Sequence, residues 1–267
     1  MPELPEVETI ARSLRPQLVG RRIVGAELRW PRTLAAPDAR AFRRMIRGQT
    51  VRDVKRRAKF LQIELDQHSL LIHLRMSGDL LIRNGSAARE KHDRLILLLS
   101  DGRRLIFNDT RKFGRAWLTH DPASVLRQLG PEPLGEDFSA AWLYQSLRTR
   151  RRQLKPLLLD QSFLAGLGNI YTDEALHMAR LHPLRSSRSV DRRQAGALHR
   201  AIRSVLRTAI RRNGASIDWV YRGGSYQEHF RVYDRVGKPC RVCGTAVRRI
   251  VVGQRGTHFC PNCQKLR

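Results

Sequence analysis

All four cysteines of this 267-residue chain lie in its last 28 positions, as Cys240-x2-Cys243, sixteen residues, and Cys260-x2-Cys263. No other feature limits the fold so narrowly. Each pair can bite a metal from one tight turn, and four thiolates complete a tetrahedron around zinc. The competing reading is two disulfides. Clustered CxxC pairs in a basic chain without a secretory leader favour one closed, structural Zn2+ held by Cys240, Cys243, Cys260 and Cys263. Val247, Ile250, Val251 and Val252 between the pairs predict a β-hairpin, which would carry Arg248, Arg249 and Arg255 rigidly against a polyanion. His258 is available as a substitute ligand, but four cysteines leave it no place.

Lys and Arg number 51 against 24 Asp and Glu, a formal net charge of +27. Self-repulsion of that size opposes compaction, and a polyanionic partner compensates it. The cations are spread over folded-looking segments and are not gathered in a tail, which points to nucleic acid over a membrane surface. An arginine-rich proteome would account for part of the excess. No apolar run approaches the ~18 residues of a membrane span, and the N-terminus lacks a signal core. A cytoplasmic, nucleoid-associated monomer is expected.

Hydrophobic patterning divides the chain. After a first helix, residues 22 to 119 read as short strands: Phe60–Leu65 and Leu70–Leu74 flank Asp66-Gln67-His68, and Leu95–Leu99 and Leu105–Phe107 flank Ser100-Asp101-Gly102. Such strands with little intervening helix predict an antiparallel sandwich or barrel. Gly130-Pro131-Glu132-Pro133-Leu134-Gly135 reads as a linker. Beyond it the pattern turns helical, with a short helix from Lys155-Pro156, another capped by Asn169, and a long one capped by Asp191 and ended by Asn213-Gly214. The fold class is α+β and multidomain, with expected domains at 1–130, 131–228 and 229–267. Gly166-Leu167-Gly168-Asn169 would let backbone approach a phosphate at a helix start, although a tight helical hairpin needs glycine too.

The chain opens Met1-Pro2-Glu3-Leu4-Pro5-Glu6-Val7-Glu8. A small second residue permits removal of Met1, leaving the ring nitrogen of Pro2 as a secondary amine. α-Amino groups titrate near about 8, so a share of neutral nucleophile exists at neutral pH. Its iminium adduct with a sugar carbon has no N–H to lose, and the fixed positive charge acidifies the neighbouring carbon. The plainer reading is an amphipathic N-terminal helix with Val7, Ile10, Leu14 and Leu18 on one face and Pro5, Glu6 and Glu8 suiting its first turn.

Taken jointly, Pro2-Glu3-Leu4-Pro5-Glu6, Arg57-Ala58-Lys59-Phe60, Ile72-His73-Leu74-Arg75-Met76-Ser77-Gly78, Lys91-His92-Asp93, Arg111-Lys112-Phe113-Gly114, Gly166-Leu167-Gly168-Asn169-Ile170-Tyr171 and the cysteine hairpin resemble the formamidopyrimidine-DNA glycosylases, within the Fpg/Nei group. The resemblance spans essentially the whole chain. It implies an N-terminal β-sandwich, a helix–two-turn–helix module and a zinc finger acting on double-stranded DNA with oxidised or abasic sites. It implies removal of oxidised bases, formamidopyrimidine first and 8-oxoguanine as a further candidate, followed by strand cleavage through β,δ-elimination.

The resemblance also assigns roles. Pro2 would attack C1′ and hold the Schiff base, Glu3 would be the acid/base for sugar-ring opening, Glu6 would orient the N-terminus, and Lys59 would donate a proton near the sugar and phosphate. Arg255 matches the zinc-hairpin arginine associated with β,δ-elimination. His92, Arg111, Arg150 and Asn169 match a phosphate-binding set, and Lys155 a lesion-side phosphate or base contact. Flipping a base leaves a hole in the stack, and Met76, Arg111 and Phe113 match the residues that fill it.

Arg75 and Thr110 stand where glycine and proline are usual, and Asp234 where glycine is common. The stretch 215–239 is a few residues shorter than in members that excise 8-oxoguanine, whose longer loop covers the flipped base. Lesion preference is therefore open among formamidopyrimidines, hydantoins and oxidised pyrimidines, the last a Nei-like activity. The rival from another class is a non-catalytic, zinc-containing protein that binds damaged DNA.

Overall fold

The computed structural model describes residues 1–216 and 223–266. The chain forms two compact units, one from Met1–Arg127 and one from Gln128–Ala215 with the chain from Gly223 on.

In the first unit, helix α1 (Leu4–Leu18) buries Leu4, Val7, Ile10, Leu14 and Leu18 along one side. Strands β1 (Ile23–Leu28), β6 (Gly78–Asn84), β7 (Asp93–Leu99) and β8 (Arg103–Asp109) form one sheet in the order β1-β7-β8-β6. The second sheet runs β2-β9-β5-β4-β3, from β2 (Leu34–Ala36), β3 (Val51–Arg57), β4 (Phe60–Leu65), β5 (Ser69–His73) and β9 (Arg115–Thr119). One core holds Leu61, Ile63, Leu70 and Ile72 from the second sheet with Leu95, Leu97, Leu105 and Phe107 from the first. Alternation on β4 (half-buried, buried, half-buried) is what a one-sided sheet requires. The sandwich is thus as expected, with two additions. Strand β2 pairs parallel with β9, and helix α2 (Ala39–Ile46), capped by Asp38, sits between β2 and β3. Three residues of β2 are too few to show a period, and α2 is too short to stand out in a run of arginines. Helix α3 (Pro122–Leu126) closes the unit.

The second unit contains α4 (Ala140–Arg148), α5 (Leu154–Leu159), α6 (Asn169–Met178) and α7 (Arg192–Arg211), then strands β10 (Arg248–Val252) and β11 (Arg255–Phe259). Asp191 caps α7 by accepting the Gln194 N–H, and Ala195, Leu198, Ile202, Val205 and Ala209 are buried together as the period requires. Asn213 (φ 57°) and Gly214 (φ 78°) then turn the chain out of the helix. Gly130–Gly135 is no free linker. The Gly130 N–H donates to the Gln161 carbonyl, and a Cβ at Gly130 would lie 2.6 Å from the Phe163 oxygen, so backbone packs on backbone. Asn169 is the first residue of α6 and Gly168 its cap, and the Asn169 side chain makes no cap bond. Among the described residues no helix is long and apolar enough to cross a membrane.

Two of the positions where glycine is usual are left-handed here: Arg75 has φ 55° and Asp234 φ 54°. Each carries a side chain in a conformation that costs roughly 1–2 kcal/mol for a residue with a Cβ, less for aspartate. Residues 217–222 of the short 215–239 stretch lie outside the described residues.

His73 on β5 gives the first unit a measurable acid sensitivity. Burial, then the charges of Arg75 and Lys59, push its imidazole down to about 3, and Nδ1 accepts the Arg75 N–H at 3.1 Å. Unfolded, the ring titrates near its usual 6.5. Its contribution is therefore complete above pH 6.5 and declines as pH falls towards 3, at about 1.4 kcal/mol per pH unit. Denaturant titrations across this range should show that slope, and His73→Phe should remove a one-proton share of it.

Candidate nucleic-acid interface and zinc centre

The start of α1 is built to be immobile. The Glu3 N–H donates to Glu6 Oε2 at 2.8 Å, and the Glu3 carbonyl accepts the Val7 N–H at 3.1 Å. Glu3 and Glu6 are 3% and 2% exposed, and Pro2 is buried directly ahead of them while Met1 is exposed. One turn on, Glu8 receives Arg56 Nε at 2.9 Å, and the same guanidinium donates to the Ala58 carbonyl at 3.2 Å. Burial opposes ionisation of Glu8, but Arg56 and then Arg12 outweigh it and hold the carboxyl below its usual range. This contact ties α1, which starts two residues after Pro2, to the two-residue turn Ala58-Lys59 between β3 and β4, where Ala58 has φ 53° and Lys59 is buried. Pro2, Glu3, Glu6 and Lys59 thus belong to one braced element of the first unit.

Met76, Arg111 and Phe113 project from two loops of the same unit. Met76 and Phe113 are 44% and 54% exposed, unusual for such side chains, and Arg111 Nη1 lies 3.7 Å from Met76 Sδ. The loops are joined by a residue that sequence reasoning missed, Asp109. Its buried carboxylate accepts the Ser77 hydroxyl, the Arg111 N–H at 3.2 Å and the Gly114 N–H at 2.8 Å. The Ser77 oxygen accepts the Arg111 N–H as well, at 3.0 Å. Gly114 leaves room for this, since a Cβ there would meet Phe107 at 2.3 Å. Lys112 lies 4.1 Å over the Trp30 ring, a further anchor for the second loop.

His92 is held by Arg94, whose Nη2 meets His92 Nδ1 at 3.0 Å and whose Nε donates to the Asp109 carbonyl at 2.7 Å. Because guanidinium only donates, Nδ1 must accept, which leaves Nε2 as the protonated nitrogen of a neutral ring. That tautomer suits a phosphate oxygen.

In the second unit, Arg150 is exposed and its carbonyl accepts the Ser187 hydroxyl at 2.7 Å. Lys155 sits differently from a surface phosphate contact. It is 0% exposed, its ammonium donating to Asp173 Oδ1 at 2.6 Å and to the Gly256 carbonyl at 3.1 Å. Asn169 Nδ2 donates to the same carbonyl at 3.0 Å, while its buried Oδ1 has no hydrogen-bond partner among the described residues. Asp173 Oδ2 accepts the His258 N–H at 2.8 Å and lies 3.3 Å from His258 Nδ1, so His258 is committed here and not to metal. The hairpin β10–β11 turns through Gly253 (φ 55°) and Gln254 (φ 62°), the pair of left-handed residues that a two-residue hairpin needs, and Arg255 follows exposed. Asp173 and Glu174 were not singled out by the sequence. Glu174 accepts the N–H groups of Arg231, Val232 and Tyr233 at 2.8, 2.9 and 2.9 Å, and burial pushes its carboxyl up against those three bonds. Nothing local in the sequence marks either acid, because the backbone N–H groups they hold lie 57 to 85 positions away.

The sulfurs of Cys240, Cys243, Cys260 and Cys263 lie within 4.8 Å of one another, with separations of 3.9, 3.5 and 3.4 Å for 240–263, 243–260 and 243–263. Thiolates about 2.3 Å from a common centre stand about 3.8 Å apart, so the cage fits zinc. Hydrogen bonds from Thr245 and then Asn262 push the Cys243 thiol down to about 5, whereas burial pushes Cys260 and Cys263 up. Sulfurs so close ionise together only around a cation. Val232 and Val247 pack with Cys240 and Cys260 into a small core of its own.

The chain thus combines a sandwich opened by an N-terminal helix, a helical module and a four-cysteine hairpin. Family models agree along the chain: the formamidopyrimidine-DNA glycosylase N-terminal domain at residues 1–116, the H2TH domain of the same proteins at 129–220, and the zinc finger found in FPG and IleRS at 237–266. The formamidopyrimidine-DNA glycosylases of Chloroflexus aggregans and Herpetosiphon aurantiacus are 52% and 45% identical, the first covering 100% of this chain and 99% of its own, the second 99% and 100%. A Lactococcus lactis FPG mutant in complex with Fapy-dG containing DNA superposes with a TM-score of 0.93 at 38% identity, covering 99% of this chain and 100% of that one. MutM with carbocyclic 8-oxo-G containing DNA does so with the same values. The chain belongs to the formamidopyrimidine-DNA glycosylase family.

Two substitutions probe this scaffold. Asp173→Asn should strand the Lys155 ammonium in the interior and destabilise the second unit by about 3–5 kcal/mol, read by chemical denaturation. Asp109→Ala should leave buried donors at Ser77 and Gly114 unmatched, cost about 1–3 kcal/mol, and raise hydrogen exchange in both loops.

Proposed function

We propose that this chain is a monomeric bifunctional DNA glycosylase and AP lyase that removes oxidised bases, formamidopyrimidines first among them, from duplex DNA of the bacterial nucleoid. The observation that carries the reading is the braced start of α1, where Glu6 fixes the Glu3 N–H at 2.8 Å directly behind a buried Pro2. The reciprocal Glu3–Glu6 contacts form a capping box, a common way to start a helix, and here the same contacts fix the backbone immediately behind Pro2. The arrangement suits a nucleophile that must hold one position.

In this reading an aminopeptidase removes the exposed Met1, and the Pro2 nitrogen attacks C1′. The N-glycosidic bond breaks and the base leaves with a proton. The sugar ring opens as Glu3 protonates the ring oxygen, giving an iminium between Pro2 and C1′. Loss of a proton from C2′ then expels the 3′ phosphate, and a second elimination expels the 5′ phosphate. Lys59, on the turn tied to α1 through Arg56, serves as proton donor beside the sugar, and Arg255 assists the second elimination. Met76, Arg111 and Phe113 occupy the space the flipped base leaves, and Asp109 sets the loops that bear them. His92, Arg111, Arg150 and Asn169 bind phosphates. Lys155 acts on DNA through the hairpin backbone it anchors, since its ammonium is engaged by Asp173 and Gly256.

Zinc is structural: held by the four cysteines, it supplies a rigid base for the hairpin and takes no part in the sugar chemistry.

Borohydride should trap the protein covalently on a duplex containing an abasic site or a formamidopyrimidine. Pro2→Gly should cut trapping by orders of magnitude, and Glu3→Gln should abolish base release while binding persists. Duplex binding that survives both changes, with no adduct from the unsubstituted protein, would identify a non-catalytic damage-binding protein. The affinity for DNA should fall steeply with salt, with a log–log slope of about −0.9 per phosphate neutralised; a flat profile counts against the phosphate-binding assignments.

A further inference from the structure

Helix α6 carries Asp173, Glu174 and His177 on one side, and all three are buried. The first two are accounted for by the hairpin and by residues 231–233. His177 is 2% exposed, its Nε2 lies 3.3 Å from Cys240 Sγ, and its Nδ1 has no partner among the described residues. A buried imidazole with a single polar contact, and that contact a sulfur, is not explained by packing alone.

We propose that His177 is a positioning residue of the zinc centre, donating its Nε2–H to the Cys240 sulfur. The direction of the bond follows from the chemistry of the pair. A thiolate that holds a metal has only acceptor capacity, so the ring nitrogen facing it carries the hydrogen, and the unpartnered Nδ1 is the bare one. Four thiolates around a divalent ion leave a net negative charge on the sulfurs. In a buried setting that charge is stabilised only by donors aimed at it. Cys240 is 3% exposed and receives one backbone donor, the Val242 N–H at 3.5 Å; His177 adds a side-chain donor from another element. The bond fixes the Cys240 rotamer, withdraws electron density from the sulfur, and so slows both loss of the metal and attack by oxidants. It also joins the finger to α6 at the metal itself. Outer-shell partners of this kind typically govern about tenfold to a hundredfold in metal affinity.

The test uses the full chain. His177→Phe keeps a flat ring in the same space and removes the N–H; His177→Gln keeps a donor. Zinc affinity, measured by competition with a chromophoric chelator, should fall about tenfold or more in His177→Phe and less in His177→Gln. The sulfur-to-metal charge-transfer band of the cobalt-loaded protein should move to lower energy in the Phe variant. In the unsubstituted protein loaded with a spin-active cadmium isotope, scalar coupling between the metal and the His177 ring N–H reports the bond directly. Absence of that coupling overturns the proposal, and so does a Phe variant whose zinc affinity stays within about twofold of the original, well short of the usual outer-shell effect. Should the Phe variant fail to fold, the cadmium coupling decides alone.

Discussion

The buried ion pair of Lys155 with Asp173 is the contact on which the second unit turns. Two opposite charges at 0% exposure, 2.6 Å apart, are tolerated because further polar partners share their solvation: Lys155 also donates to Gly256, and Asp173 also accepts from His258. Desolvating such a pair consumes most of what its attraction returns, so its net contribution to stability is small. Its value is geometric. An apolar contact could slide by an ångström at little cost, whereas a buried charge that slips from its partner loses several kcal/mol. The hairpin carrying Arg255 is therefore seated on α5 and α6 in a single register.

The same logic extends along α6. Its residues 170–177 are all buried, so the helix has no solvent face, and one side is given over to polar anchors. Asp173 holds the hairpin, Glu174 gathers three successive N–H groups, and His177 reaches the metal cage. A finger with a core as small as Val232, Val247, Cys240 and Cys260 cannot orient itself by hydrophobic burial. Directional bonds from a rigid helix do that work. In the first unit Asp109 plays a comparable part, because the exposed Met76 and Phe113 can hold position only if the backbone beneath them is fixed.

This explains what could be read from the sequence and what could not. Elements with one wet face announce themselves: α1 and α7 through their apolar stripes, β4 through alternation, α7 through Asp191 at one end and Asn213-Gly214 at the other. The cysteine spacing is equally legible, since its chemistry is local. Helix α6 has no stripe, so periodicity says little about which side matters. Asp109 and Asp173 look like any surface acids until partners 32 and 85 positions away meet them. Lys155 misleads for the same reason: a lysine in a basic chain suggests a solvated phosphate contact, and only the fold supplies the aspartate that draws it inside.

Departures at Arg75 and Asp234 can be understood in these terms. Both keep the left-handed backbone that glycine would adopt freely, so the turn is imposed by its surroundings and not by the residue. Around Arg75 the surroundings are the His73 ring, which accepts its N–H, and the adjacent Met76-Ser77 loop pinned by Asp109. Asp234 follows directly on the segment whose N–H groups are held by Glu174. A Cβ at these positions is carried at a modest energetic cost because neighbouring hydrogen bonds hold the backbone in place. The sequence can therefore drift away from glycine there while the loops that bear the exposed side chains keep their shape.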